Sequence, residues 1–145
     1  MSNIEAFLKA SEEQEIVEAI RLAELNTSGE IRVHIEKTSK NDANMRALEV
    51  FHTLKMDNTK LQNAVLIYVA IDDKTFVIYG DKGINNVVAH DFWESTKNVI
   101  QKHFKSGNFK QGLVDGIIKS GEQLKHFFPY TDDDENELTN EISKG

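Results

Sequence analysis

The chain has 145 residues, 39% hydrophobic and 28% charged, which excludes a wholly disordered or collagenous chain and suits one domain with a sizeable core. It contains no cysteine, so disulfides, thiolate metal sites and cysteine nucleophiles are excluded. Its formal net charge of −7 argues against duplex nucleic acid as a partner, because such binders need a basic surface.

The first residues, MSNIEAFLKASEEQE, lack the basic start and apolar stretch of a secretory signal. The longest apolar run, Ala64 to Ile71, is too short for a membrane span. A soluble, cytoplasmic protein is expected. Residues 3–9 suit one or two helical turns. Ser11-Glu12-Glu13-Gln14 then matches a capping box, with Ser11 as N-cap, and Ile16, Ala19, Ile20 and Ala23 form a buried helical stripe. Asn26-Thr27-Ser28-Gly29 breaks that helix. Ile31, Val33 and Ile35 alternate with Arg32, His34 and Glu36, which predicts a strand with one apolar face.

Asp42 is the predicted N-cap of a second helix running to about Met56, with Ala43, Ala47, Val50, Phe51 and Leu54 on its apolar face. The run from Ala64 to Ile71 is apolar at every position and predicts a central strand covered on both faces. Asp72-Asp73-Lys74 turns the chain into a third strand, Thr75 to Tyr79, so the second and third strands form an antiparallel hairpin. Gly80-Asp81-Lys82-Gly83 ends the sheet. One long helix is predicted from about Val87 to Lys105 and a last one from Phe109 to Phe127. The interior glycines of the last helix, Gly112, Gly116 and Gly121, point to close packing against a neighbour. The only proline, Pro129, marks its end, and the domain is drawn as residues 1–130. Residues 131–145 carry six acids and one lysine, net −5, and are expected to be a disordered, solvated tail.

A helix between the first two strands makes them parallel with a right-handed crossover. Helices on both faces of a small mixed sheet give an α/β fold, a three-layer α/β/α sandwich. In that topology the start of strand one, the start of strand two and the end of strand three share one edge. Glu30, Asn63 and Asp81 stand there, and carboxylate and amide oxygens are the hard ligands that Ca²⁺ or Mg²⁺ takes. Asp91, one to two turns into the predicted long helix, leans toward the same edge. It also stands three residues before Glu94, where acids favour a helix N-terminus without any metal. The opposite pole holds Glu36, Asp72 and Asp73, a second candidate, although Asp-Asp-Lys is also ordinary turn chemistry.

Other chemistries find no motif. The five histidines include no His-Glu-x-x-His, and neither a Gly-x-Ser-x-Gly elbow nor a dinucleotide or P-loop glycine pattern occurs. Asp132-x-Asp134-x-Asn136 begins like an EF-hand loop, but Glu137 stands where glycine belongs and Ser143 where the final glutamate belongs.

Six motifs in order carry a family resemblance. They are Ala23-Glu24-x-x-Thr27-Ser28-Gly29-Glu30-Ile31-Arg32-Val33, Asn63-Ala64-Val65-Leu66-Ile67, Gly80-Asp81-x-Gly83-Ile84, Asp91-x-Trp93, Phe109-x-x-Gly112-Leu113 and Phe128-Pro129. Over roughly residues 4–130 the chain resembles the TPM domain family, found in thylakoid photosystem-repair proteins, bacterial membrane-anchored proteins and an animal receptor modulator. The resemblance implies a Rossmann-like sandwich without a nucleotide fingerprint and a divalent-metal site, often for Ca²⁺, built from acids around the sheet edge. It also implies acid phosphatase activity in the plant branch. Asn85 stands where many members carry glutamate, and the Gly83-to-Asp91 spacing is one residue longer than the commonest form. The expected function is a Ca²⁺-binding module, with Glu30, Asn63, Asp81 and Asp91 as ligands, that meets a protein partner as a monomer. The alternative is a metal-dependent phosphohydrolase, for which Arg32 and Lys82 stand near in sequence but no activated nucleophile is apparent.

Overall fold

The computed structural model describes residues 7–40, 42–130 and 137–145. Helix α1 spans Ala10–Glu24, strand β1 Glu30–Glu36 and helix α2 Ala43–Thr53. A 3₁₀ turn at Met56–Asn58 leads to β2, Ala64–Ala70, and the hairpin to β3, Thr75–Gly80. Then come the short helix α3 (Lys82–Asn85), α4 (Glu94–Lys105), α5 (Phe109–Lys125) and the two-residue strand β4 (Ser143–Lys144). The sheet order is β3-β2-β1-β4. β1 runs parallel to β2 and to β4, whereas β2 and β3 are antiparallel.

Strand alternation sorts the side chains into two cores, giving the expected α/β sandwich. Ile31, Val33 and Ile35 of β1, Val65, Ile67 and Val69 of β2 and Ile78 of β3 pack against α1, α4 and α5. Ala64, Leu66, Tyr68 and Ala70 face Ala47, Val50 and Phe51 of α2, together with Met56. Every residue of β2 is buried, the outcome predicted by its unbroken apolar run. The glycines of α5 sit where helices touch. A Cβ on Gly116 would stand 2.6 Å from Ile100 of α4, and one on Gly121 would stand 2.8 Å from Ala23 of α1.

Three local expectations are corrected. The N-cap of α1 is Lys9, not Ser11; the Lys9 amide donates to Glu12 Oε1 at 2.9 Å. The helix predicted from Val87 to Lys105 begins late: the short α3 ends at Asn85, turns occupy the predicted first turns, and α4 begins only at Glu94. The Trp93 indole packs over Gly80, where even a Cβ would stand only 3.5 Å from the ring. A continuous helix would not fold Trp93 back onto that strand end. Lastly, where charge predicts an unstructured tail, Ser143 and Lys144 pair with His34 and Ile35 of β1. Leu138 and Ile142 pack against the two cores. Residues 131–136, including the EF-hand-like opening, lie outside the described residues.

Candidate functional site

The edge where β1 and β2 begin and β3 ends gathers three of the four predicted ligands along the backbone. Glu30 pairs with Ala64, and its amide donates to the Asn63 carbonyl at 3.3 Å. The Asp81 amide donates to the Ala64 carbonyl at 3.0 Å. Glu30 is in phase with the polar positions of β1, and Asp81 with Tyr79, so both lie on the face that carries α2, either side of the small Ala64. All three are buried: Glu30 is 3% exposed, Asn63 1% and Asp81 5%.

Their side chains are only partly satisfied. Asp81 Oδ1 caps α3, accepting from the Lys82 amide at 2.8 Å. Glu30 Oε1 accepts from the Glu137 amide at 2.6 Å. Glu30 Oε2 and Asp81 Oδ2 are buried without a hydrogen-bond partner. Asn63 Nδ2 donates to Ser28 Oγ at 3.4 Å. Asp91 is exposed in the turn before α4, on no strand of this row. Among the described residues no three His, Asp or Glu side chains stand together as a ready metal cage. Any ion here would draw on backbone and amide oxygens, or on a movement of Asp91.

Glu24, at the end of α1, also belongs to this edge and was not among the expected ligands. Its Oε2 accepts from the Ile31 amide at 2.9 Å, one residue beyond Glu30. Burial, reinforced by the charge of Glu30, pushes its carboxyl up to about 8 despite that bond. Burial raises Glu30 too, opposed by the amides of Glu137 and Leu138. The sequence held one signal: an acid in the last turn of a helix sits against the negative end of the helix dipole.

These shifts set a pH dependence. The folded state keeps protons on Glu24 and Glu30 that the unfolded chain loses near pH 4.5, so stability falls as pH rises from there toward 8. Glu24→Gln cannot ionise, and its amide can donate to a neighbouring carboxylate while its oxygen still accepts from Ile31. Its melting temperature is expected to exceed that of the unchanged protein by about 5 °C at pH 8 and to match it at pH 4.5. Equal melting curves at both pH values would mean the pair is not strained by charge.

The opposite pole is built differently. Glu36 is buried and accepts from Arg46 Nε at 2.8 Å, Arg46 Nη2 at 2.9 Å and the Tyr68 hydroxyl. His34 Nε2 lies 3.0 Å from the same carboxylate. Burial would raise Glu36, but these donors outweigh it and hold the group down at about 2. Asp73 accepts from the Thr38 hydroxyl and from the Ser39 amide and hydroxyl. Glu36 and Asp73 are therefore already satisfied by protein donors, and Asp72 is exposed. This pole needs no cation.

A family model described as the TPM domain matches residues 2–123. The NMR structure of the BA42 protein from the psychrophilic bacterium Bizionia argentinensis is similar over the whole length of both chains, with 69% identity and a TM-score of 0.93. The solution structure of the N-terminal domain of the cg2496 protein from Corynebacterium glutamicum shares the fold. It covers 79% of this chain and 72% of that one, with 11% identity and a TM-score of 0.64. No curated protein matches the chain. No helix among the described residues is long and apolar enough to cross a membrane.

Proposed function

The chain belongs to the TPM domain family, and from that premise we propose that it is a divalent-cation-binding module that meets a protein partner, with Ca²⁺ the favoured ion. One observation carries the cation half: two carboxyl oxygens, Glu30 Oε2 and Asp81 Oδ2, are buried on one face of the sheet edge with no partner apart from the proton that Glu24 and Glu30 share. Leaving a buried acceptor unpaired costs about 1–3 kcal/mol, and more when it is charged. Either a proton or a hard cation relieves that cost. Glu30 and Asp81 would supply charge and the Asn63 amide a neutral oxygen. Asp91 would complete the set from its turn. The buried acids fit an oxygen-seeking ion such as Ca²⁺ or Mg²⁺.

Calcium would displace the proton held by the Glu24–Glu30 pair, so its affinity is expected to rise between pH 6 and pH 8. At a hundredfold excess over Kd, calcium should stabilise the fold by about 2.7 kcal/mol. Thermal unfolding with and without calcium tests this. Asp81→Asn should abolish most of the stabilisation while keeping the cap on α3, since asparagine also caps helices. A calcium effect equal in the variant and the unchanged chain would remove Asp81 from the site. The phosphohydrolase alternative has less support. Asp81 Oδ1 is engaged as a helix cap, and Arg32 already feels the carboxylate of Glu141.

A further inference from the structure

The segment 137–145 meets the polar face of β1 at several points. The Glu137 amide donates to Glu30. Arg32 is drawn to the charge of Glu141. His34 Nδ1 lies 2.9 Å from Ser143 Oγ, and the Gly145 amide donates to the Ile35 carbonyl at 2.9 Å. Ser143 and Lys144 are laid as a strand on the sheet edge, and upstream of them Glu141 and Glu137 reach Arg32 and Glu30 on the same polar row.

The two sides of this contact are unequal. On the β1 side, Glu30, His34 and Glu36 are each no more than 5% exposed. The body holds the last two without the segment: Arg46 and Tyr68 fix Glu36, and His34 stacks on Tyr68 at 5.9 Å between ring centroids. On the other side no residue of 137–145 is fully buried. Beyond the hydrogen bonds just named and one from the Lys60 amide to Glu137, its anchors are two half-buried aliphatics, a two-residue ladder and a surface ion pair from Lys144 to Glu13. The fit is also incomplete. Arg32 Nε is buried with no hydrogen-bond partner, although Glu141 is near enough to act on its charge.

We propose that the outer edge of β1 is a peptide-binding groove occupied in the free protein by residues 137–145, and that its partner is an extended segment of another protein carrying aliphatic anchors and a carboxylate that reaches Arg32. Adding a strand to a sheet edge gives affinity through the backbone and selectivity through alternate side chains. A better-placed carboxylate satisfies Arg32 and so displaces the resident segment. The proposal takes up the partner half of the proposed function and needs no cation.

The test therefore runs in excess chelator. The probe is a fluorescent peptide with the sequence of residues 137–145, titrated into the full chain and into a full-length Leu138→Asp/Ile142→Asp variant whose own segment is detached. The variant is expected to bind at least tenfold more tightly than the unchanged chain. Adding Arg32→Gln to the variant should cost several-fold. Equal binding to both chains, no binding, or dimerisation of the variant without peptide would overturn the proposal; the last would make a second copy the occupant. Hydrogen exchange on the unchanged chain gives a check that needs no variant. The Glu137 and Gly145 amides should exchange far faster than those of the β1–β2 ladder. Exchange at the global unfolding rate, or loss of cooperative folding in the variant, would make the segment a fixed part of the fold and refute the proposal.

Discussion

Replacing Glu36 by alanine is expected to lower the unfolding free energy by about 3–5 kcal/mol, the usual cost of removing one member of a buried ion pair. Arg46, Tyr68 and His34 all converge on this carboxylate; the substitution leaves Arg46 with only Glu49 at 3.7 Å and His34 with only Ser143, and takes the acceptor from Tyr68. Arg46 is itself 36% exposed along its side chain, so water can recover part of its loss, whereas Tyr68 is fully buried. The milder Glu36→Gln keeps an acceptor for Tyr68 and should cost less, with a distinct signature in acid. The folded carboxyl is held down at about 2, below its unfolded value of 4.5. Its contribution, about 3 kcal/mol, is therefore complete above pH 4.5 and disappears as pH falls toward 2. Urea unfolding of Glu36→Gln should accordingly show a flattened acid limb. An unchanged limb would mean another carboxylate governs acid unfolding.

Gly83→Ala is expected to cost about 3 kcal/mol, at the upper end of overpacking effects. A Cβ there would lie 2.1 Å from the Leu61 carbonyl oxygen and 2.5 Å from that of Gln62. Both contacts are backbone, so no side-chain rotation relieves them. The loop has little room to retreat, because the Gly83 amide donates to the Gln62 carbonyl at 2.8 Å and Gln62 is already left-handed at φ 50°. Asn63 and Asp81 flank this contact on its two sides, so the same substitution should weaken calcium binding beyond its effect on stability. A denaturation midpoint unchanged from the parent would show that the loop yields, and would separate it from the candidate site.

The strands and their pairing are legible in the sequence because the cause is local. Ile31, Val33 and Ile35 alternate, the run from Ala64 to Ile71 does not, and the one places a strand beside a cover that the other requires on both faces. The close glycine contacts of α5 also follow from residue type alone. β4 is different. Ser143 and Lys144 sit in an acidic segment with no period, and they become a strand only because β1 offers them an edge. The break before α4 is equally non-local. No glycine or proline lies between Ile84 and Glu94, and the chain turns where Trp93 seats against Gly80. At the candidate site, topology brings Glu30, Asn63 and Asp81 to one edge. It conceals Glu24, which reaches the row from another layer, and it misplaces Asp91 through the helix that was expected to carry it.

The most direct test is a calcium titration followed by backbone amide shifts across the whole chain. Glu30, Asn63 and residues 81–83 are expected to move first and together, with Asp91 following as its turn is drawn in, and Asp81→Asn is expected to suppress these shifts. Shifts centred instead on Glu36, Asp72 and Asp73, or none at millimolar calcium, would contradict calcium binding at the edge formed by Glu30, Asn63 and Asp81.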